Sequence, residues 1–372
     1  MVDRVSSASR YAQLVADMQM NQFNFNKLTA QLSSGSKIIS LSDDPIASVN
    51  ILNTSRQLGQ IEIFEENVGM ASAELSTLDD LFSLANGYLS SAWDKAIQAN
   101  NQTYGKPSLK ALKVEIDEIT RTMVDLANTE YNDNYIFSGA NSNTLTFTFD
   151  ENGDVIYNGT PHDNPDYVRQ TEVADGVFEV INTTGDKVFG EYKAAVEAGK
   201  GVYTDPTTGK RIIKTIEKDP TTNNDVEVYR YENGNLYDGD TTKLVDGAEE
   251  VATGVMGALR KLSNALEKTI SDDPDVVAEG YAEMNKTLDM FSDSLNTITT
   301  EQTKFGGVYN RLEMTTSTLE TNNENLTSYL TEVGSVDYTE AVTQWMNAQY
   351  AYQASMQIAS ASMNMSLLNY IQ

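Results

Sequence analysis

Residues 277–333 read VAEGYAEMNKTLDMFSDSLNTITTEQTKFGGVYNRLEMTTSTLETNNENLTSYLTEV. Val277, Tyr281, Met284, Leu288, Phe291, Leu295 and Ile298 recur at alternating steps of three and four. The same seam continues through Phe305, Tyr309, Leu312, Leu319, Leu326, Leu330 and Val333, with Gln302, Thr316 and Asn323 in the places between. Such spacing keeps one apolar stripe on one side of a helix, as in a coiled coil. At 1.5 Å per residue the helix extends ~85 Å, whereas a compact chain of this size has a radius of gyration of only ~21 Å. The expected fold is therefore mainly α, an elongated rod of long coiled-coil-like helices. Gly306 and Gly307 are placed to weaken or bend this helix midway.

Working outward, the same periodicity appears three more times. Ile61, Phe64, Val68, Ala71, Leu75, Leu78, Phe82, Ala85, Leu89, Ala92 and Ala96 form one run, and Leu109, Leu112, Ile116, Ile119, Met123 and Leu126 another after Pro107. Near the N-terminus Tyr11, Leu14, Met18, Phe25, Leu28 and Leu32 make a seam interrupted by Asn21. A polar residue there either fixes register or is a contact tolerated near a helix end. Ser42-Asp43-Asp44-Pro45 and Ser271-Asp272-Asp273-Pro274 are matching helix starts, with an Asp to cap free amides and a proline suited to the first turn.

The middle of the chain changes period. Leu145, Phe147 and Phe149 alternate with threonines, and Asn152-Gly153 supplies a hairpin turn before Val155-Ile156-Tyr157. Similar strand signals recur at Val177–Ile181, Arg211–Glu217 and Val226–Tyr231, the last followed by Asn233-Gly234; helical spacing resumes at Val251. The organisation expected is an N-terminal helix over 1–40, a first helical half over 41–140, an inserted β-rich module over 141–250, a second helical half over 251–335, and a C-terminal helix over 336–372. The two terminal helices should pair. The module should be separable, so that a linker in place of about 160–247 leaves the helices folded.

A formal charge of −28 argues against a nucleic-acid or anionic membrane partner, since both demand clustered Lys and Arg. The acidity belongs to the middle: residues 1–40 carry a net +2, and no charged residue occurs from Ala341 to Gln372. Cysteine is absent, which excludes disulfides and thiolate chemistry. The N-terminal stretch has no apolar run of the length a cleaved signal peptide needs, and no apolar segment approaches the ~20 residues of a membrane span.

Nothing in the chain assembles an active site, so no enzymatic activity, cofactor or metal is expected. His162, the single histidine, sits in a Thr-Pro-His-Asp-Asn-Pro loop with no evident partner. The Asp150–Asp154 stretch resembles part of a calcium loop, but its glycine is displaced and no bidentate Glu follows. The uncharged tail is different. Val342, Trp345, Tyr352, Met356, Ala359, Met363 and Tyr370 share a face, while Leu367, Leu368 and Ile371 add apolar surface elsewhere. A helix apolar on several faces must be surrounded, either within its own domain or among many subunits. The end of a rod offers too little surface for the first, so Tyr11, Leu14, Met18, Phe25, Leu28, Leu32, Trp345, Tyr352, Met356, Met363, Leu367 and Leu368 are the expected subunit-assembly residues. Leu28 and Met356 should be wet in the free chain and covered only on assembly.

Several of these segments resemble a known family. Leu32-Ser33-Ser34-Gly35 followed by Ser42-Asp43-Asp44-Pro45 is similar to the corresponding stretch of flagellins and of the flagellin-like junction proteins of the bacterial flagellum, and the Pro45 form is that of the junction proteins. Tyr135-Ile136-Phe137-Ser138-Gly139, Ala351-Tyr352-Gln353-Ala354-Ser355 and Ser366-Leu367-Leu368-Asn369-Tyr370 look like the same subfamily, and Gly307, Asn310 and Arg311 resemble a pattern shared with flagellins. The likeness covers about two thirds of the chain and leaves out about 160–250. It implies an extracellular adaptor lying between the first hook–filament junction protein and the flagellin filament, with copies of itself in a ring. It also implies export unfolded through the flagellar type III apparatus, a cytoplasmic export chaperone near the C-terminus, and terminal helices buried in inner layers. The readings held against it are a flagellin subunit, a flagellum-borne adhesin or ligand-binding module in 141–250, and a surface hydrolase.

Overall fold

The computed structural model describes residues 2–101, 103–150, 153–196, 200–218, 225–231, 236–237 and 239–371, with the backbone alone at 2–8, 10, 11, 217, 218, 225, 226 and 362–371. The expected turn residues Asn152, Asn233 and Gly234 lie outside the described residues. In chain order the elements are α1 (Val2–Ser34), α2 (Pro45–Ala99), α3 (Lys106–Ala127), β1 (Glu130–Tyr131), β2 (Asn134–Tyr135), β3 (Phe147–Phe149), β4 (Val155–Tyr157), β5 (Gln170–Ala174), β6 (Val177–Val180), α4 (Gly185–Val188), β7 (Tyr192–Lys193), β8 (Val202–Thr204), β9 (Arg211–Lys218), β10 (Asp225–Tyr231), β11 (Val245–Asp246), β12 (Val251–Ala252), α5 (Gly254–Thr269), α6 (Pro274–Gly334) and α7 (Tyr338–Ile371). The chain divides into two units, Met1–Glu65 with Thr316–Gln372, and Glu66–Thr315.

In the first unit α1 packs on α7. Helix α1 ends because Gly35 takes φ +71°, a left-handed conformation that closes the last turn and that a side chain would strain. The two Ser-Asp-Asp-Pro starts act alike. Asp44 accepts from the amides of Ile46 and Ala47 at 3.1 and 3.0 Å, and Asp273 accepts from that of Asp275 at 3.0 Å. Asp337 does the same for α7, accepting from Thr339 and Glu340 at 2.8 and 3.2 Å. Between these helices the two linkers touch. Ser36 and Ser335 form an antiparallel bridge, with Lys37 N donating to Gly334 O at 2.7 Å and Val336 N to Gly35 O at 3.0 Å.

The second unit holds the main core. The predicted run on α2 is buried from Val68 to Ala96, and Met284, Phe291, Ile298, Phe305 and Leu312 of α6 are buried with it. Burying each large apolar side chain contributes about 1.5–3 kcal/mol, so these seams dominate the unit's stability. Helix α6 runs unbroken through Gly306 and Gly307. One seam residue is corrected there: Tyr309 is exposed and Val308 buried, because the heptad steps from Phe305 by three and then four to reach Leu312. Gln302 is half-buried and its amide donates to Asp79 at 2.9 Å and Ser83 at 3.1 Å, so this polar seam position is satisfied.

The β-rich part contains two four-stranded antiparallel sheets, in the orders β12-β7-β4-β3 and β10-β9-β8-β11, and the hairpins β1-β2 and β5-β6. It is welded to the helices by aromatic rings. Phe305 and Phe82 lie 6.2 Å apart, Phe82 and Phe137 6.3 Å, Phe137 and Phe189 4.9 Å edge-on, and Phe189 and Phe147 6.2 Å. Phe82, Phe137, Phe147 and Phe189 are all fully buried. The β5-β6 hairpin is strapped down as well. Arg311 grips Glu179 through two bonds of 2.8 and 2.5 Å, Asn67 donates to Glu172 O at 2.8 Å, and Arg169 pairs with Glu74. The expectation that 160–247 lifts away cleanly is thereby corrected, because Arg169, Glu172, Glu179 and Phe189 within it bond to or pack with groups of the helical core. Arg211 on β9 is buried and donates to the carbonyls of Lys193, Ala194 and Glu249, joining the outer sheet to β7 and the β12 approach.

Candidate assembly surface

The α1–α7 seam is aromatic and polar by turns. Phe25 lies 5.7 Å from the Trp345 ring and stacks on Tyr352 at 6.0 Å with 7° between planes. Trp345 Nε1 donates to Thr29 Oγ1 at 2.9 Å, and Asn21 Nδ2 donates to Ser355 Oγ at 2.6 Å. Ser355 Oγ in turn donates to Ala351 O at 2.7 Å, so the hydroxyl both accepts and donates. On α7 the inward face runs Ala341, Trp345, Ala348, Tyr352, Ser355 and Ala359. Ala341, Ala348 and Ser355 carry little apolar signal, which is why the pattern pointed only to Ala359 among the small residues of that face.

Leu14, Met18, Phe25, Leu28 and Leu32 are half-buried on α1, and Trp345 and Tyr352 are half-buried opposite them. Leu28 is therefore already partly covered in the free chain. Met356, by contrast, is 50% exposed and Val342 is exposed too, so neither shares the face of Trp345 and Tyr352. Tyr11, Met363, Leu367 and Leu368 lie within α1 and α7, with side chains outside the described residues.

Two apolar displays remain on this unit. On α7, Val342, Met346, Tyr350, Met356 and Ile358 point away from the seam, with Tyr350 67% exposed. At the α1–α2 elbow, Ile39, Leu41, Ile46, Val49 and Leu52 are exposed, Leu41 by 60% and Ile46 by 77%. Soluble surfaces seldom leave such groups together without a partner. The elbow is not slack. Asp43 accepts from Lys27 Nζ at 2.7 Å and from the amides of Ile39 and Ser40 at 3.2 and 3.1 Å. The Lys27 bond above all, with the two amides, holds the Asp43 carboxyl below the usual carboxylate range.

A lowered pKa fixes the sign of the pH dependence: the contribution is present above the ordinary carboxylate range and is lost as the pH falls through the folded value. Asp43→Asn should therefore lower the melting temperature at neutral pH, and the gap to wild type should close as the pH drops below that range. A gap that persists unchanged in acid would show that the ion pair is not its cause.

Elsewhere the chemistry is structural. His162 does have a partner, contrary to the expectation: Asp186 Oδ2 lies 2.8 Å from Nδ1 and also accepts from the His162 amide at 2.9 Å. The pair ties an exposed loop to the first turn of α4. Among the described residues no group of three or more His, Cys, Asp or Glu could hold a metal ion. A cleft of about 260 Å³ beside the β1-β2 hairpin is lined by Asn67, Glu74, Tyr131, Tyr135 and Arg169, and its two charges are already paired with each other.

Known proteins share this plan of long terminal helices around a β-rich middle. Family models described as the bacterial flagellin N-terminal and C-terminal helical regions match residues 5–142 and 288–371. The chain belongs to the flagellin-like proteins of the bacterial flagellum, a family of structural proteins. Within it the similarity runs to proteins named as hook-associated or flagellar junction proteins. Flagellar hook-associated protein 3 of Escherichia coli K12 is 22% identical over 365 residues, spanning 98% of both chains. The crystal structure of flagellar hook associated protein-3 from Legionella pneumophila superposes with a TM-score of 0.55 at 19% identity, covering 76% of this chain and 98% of that one. A flagellin of Clostridium tyrobutyricum is 22% identical over 359 residues, 88% of this chain and 90% of its own length. Among the described residues no helix is long and apolar enough to cross a membrane.

Proposed function

We propose that this protein is an extracellular adaptor of the flagellum, joining the hook, through the first junction protein, to the flagellin filament. Its partners are then that junction protein, flagellin and further copies of itself in a ring. The observation that carries the reading is the outward face of α7. Its inward face is already occupied by α1, yet Val342, Met346, Tyr350, Met356 and Ile358 stay uncovered on a helix with no charged residue after Glu340. Such a face is stable only where neighbouring subunits enclose it. Tyr11, Leu14, Met18, Phe25, Leu28, Leu32, Trp345, Tyr352, Met356, Met363, Leu367 and Leu368 form the terminal pair that enters the lattice, with the β-rich module facing outward. Export in an unfolded state with a chaperone on the C-terminal region belongs to the same reading.

A filament subunit is the nearest rival, favoured by the likeness to the clostridial flagellin. Antibody labelling of detached flagella separates the two: a thin band at the hook–filament boundary is expected, and label along the shaft would assign the chain to flagellin. The pure protein should also fail to grow long filaments under salting-out conditions, because a junction subunit presents unlike surfaces above and below. Hook fragments capped by the first junction protein should bind it.

A further inference from the structure

We infer that the two polar rungs, Asn21–Ser355 and Thr29–Trp345, set the axial register of α1 against α7, the first barring a slip in one direction and the second a slip in either. The Ser36–Ser335 bridge ties the linkers at the base of the pair, but the helices beyond it repeat every seven residues and are apolar enough to mate in shifted phases. Seven residues before Ser355 stands Ala348, and seven after it stands Ser362. Bringing Ala348 opposite Asn21 leaves a half-buried amide facing a methyl group, without the hydroxyl that accepts its hydrogen bond.

The opposite slip offers Asn21 a second serine, so the first rung does not oppose it. That slip, like the first, carries Trp345 away from Thr29, and it alone sets Ala359 where Tyr352 stacked on Phe25. The indole N–H loses its acceptor, and the aromatic contact shrinks to a methyl. Polar residues in a seam thus act as they do in other coiled coils, giving up stability and excluding wrong alignments. Register matters because it decides where the exposed rows of α1 and α7 lie relative to each other. This consequence rests on the assembly role proposed above; the register itself does not.

The chain has no cysteine of its own, which makes disulfide trapping clean. Leu28→Cys with Ala348→Cys reports the native register, since each lies one heptad from its rung partner. Leu28→Cys with Ala341→Cys reports the slipped one. In the otherwise wild-type monomer the first pair should close and the second should not. Adding Asn21→Leu should raise, not lower, the melting temperature of the terminal pair by roughly 2–4 °C, and adding Thr29→Val as well should raise the yield of the slipped pair at least ~5-fold. The swap Asn21→Ser with Ser355→Asn rebuilds the rung and should return the native pattern. A slipped pair that stays absent in the Asn21→Leu, Thr29→Val chain, or a swap that does not restore register, overturns the inference. Both readouts use the free monomer, so they stand apart from incorporation. Wild-type chains that never bind capped hooks would defeat the assembly reading and leave the register result untouched.

Discussion

Met356→Asp is expected to fold like the wild type and to be refused by the lattice. The side chain is half-exposed and off the α1–α7 seam, so a carboxylate there stays hydrated in the free monomer and the melting temperature should move by less than ~1 °C. On assembly the same carboxylate is enclosed by apolar neighbours without a cation. An uncompensated buried charge costs ~3 kcal/mol or more, which is roughly a hundredfold in each subunit's affinity for the growing end. Binding to capped hook fragments, followed by sedimentation, measures it. Normal incorporation would mean that the outward face of α7 stays wet in the assembly. Leu28→Asp is the poorer probe, because Leu28 already faces α7 within the chain and its loss weakens the monomer too.

The second large effect concerns where the β-rich part can be cut. Val196 and Ala248 exchange backbone bonds, Val196 N to Ala248 O at 2.7 Å and the reverse at 2.8 Å. Replacing 197–247 by a two-residue Asn-Gly turn therefore closes a natural hairpin and should leave the second unit melting cooperatively. Replacing 160–247 instead removes Phe189, Val188 and the Glu179 partner of Arg311. Losing one fully buried phenylalanine costs about 3–5 kcal/mol, against a typical total stability of 5–15 kcal/mol. The larger excision should thus abolish a single sharp transition in circular dichroism, while the smaller one preserves it. Equal behaviour of the two deletions would show that the aromatic chain from Phe305 to Phe147 does not bear on the core.

Much of this architecture is legible because long helices repeat their signal many times. The run from Val68 to Ala96 states its buried face nine times over, through small and large apolar residues alike, and β3, β4, β6, β9 and β10 each fall on a period-two stretch. Strands of two residues such as β7, β11 and β12 have no room for a period, and they exist only because a distant partner supplies their bonds. Arg211 is similarly opaque: its three carbonyl acceptors lie 17 to 38 residues away along the chain. The seam of α7 was misread at Met356 because methionine outweighs alanine and serine in any apolar pattern. Beside Trp345 and Tyr352, the residues that do face α1 are small ones that allow close approach, and Ser355 is the hydroxyl that answers Asn21. Tyr309 misled for the opposite reason, since a three-then-four step and a four-then-three step look alike until the helix packs.

Trp345 gives the terminal pair a voice of its own. The chain contains two tryptophans, Trp93 in the second unit and Trp345 in the first. The Trp345 indole is held by Thr29 and lies against Phe25, so separation of α1 from α7 exposes it to water and shifts its emission to the red. Trp93 stays silent in that event and answers only to the core of its own unit. A single chain replaced at Trp93 by phenylalanine thus carries an optical sensor for the opening and closing of its ends, with no label attached.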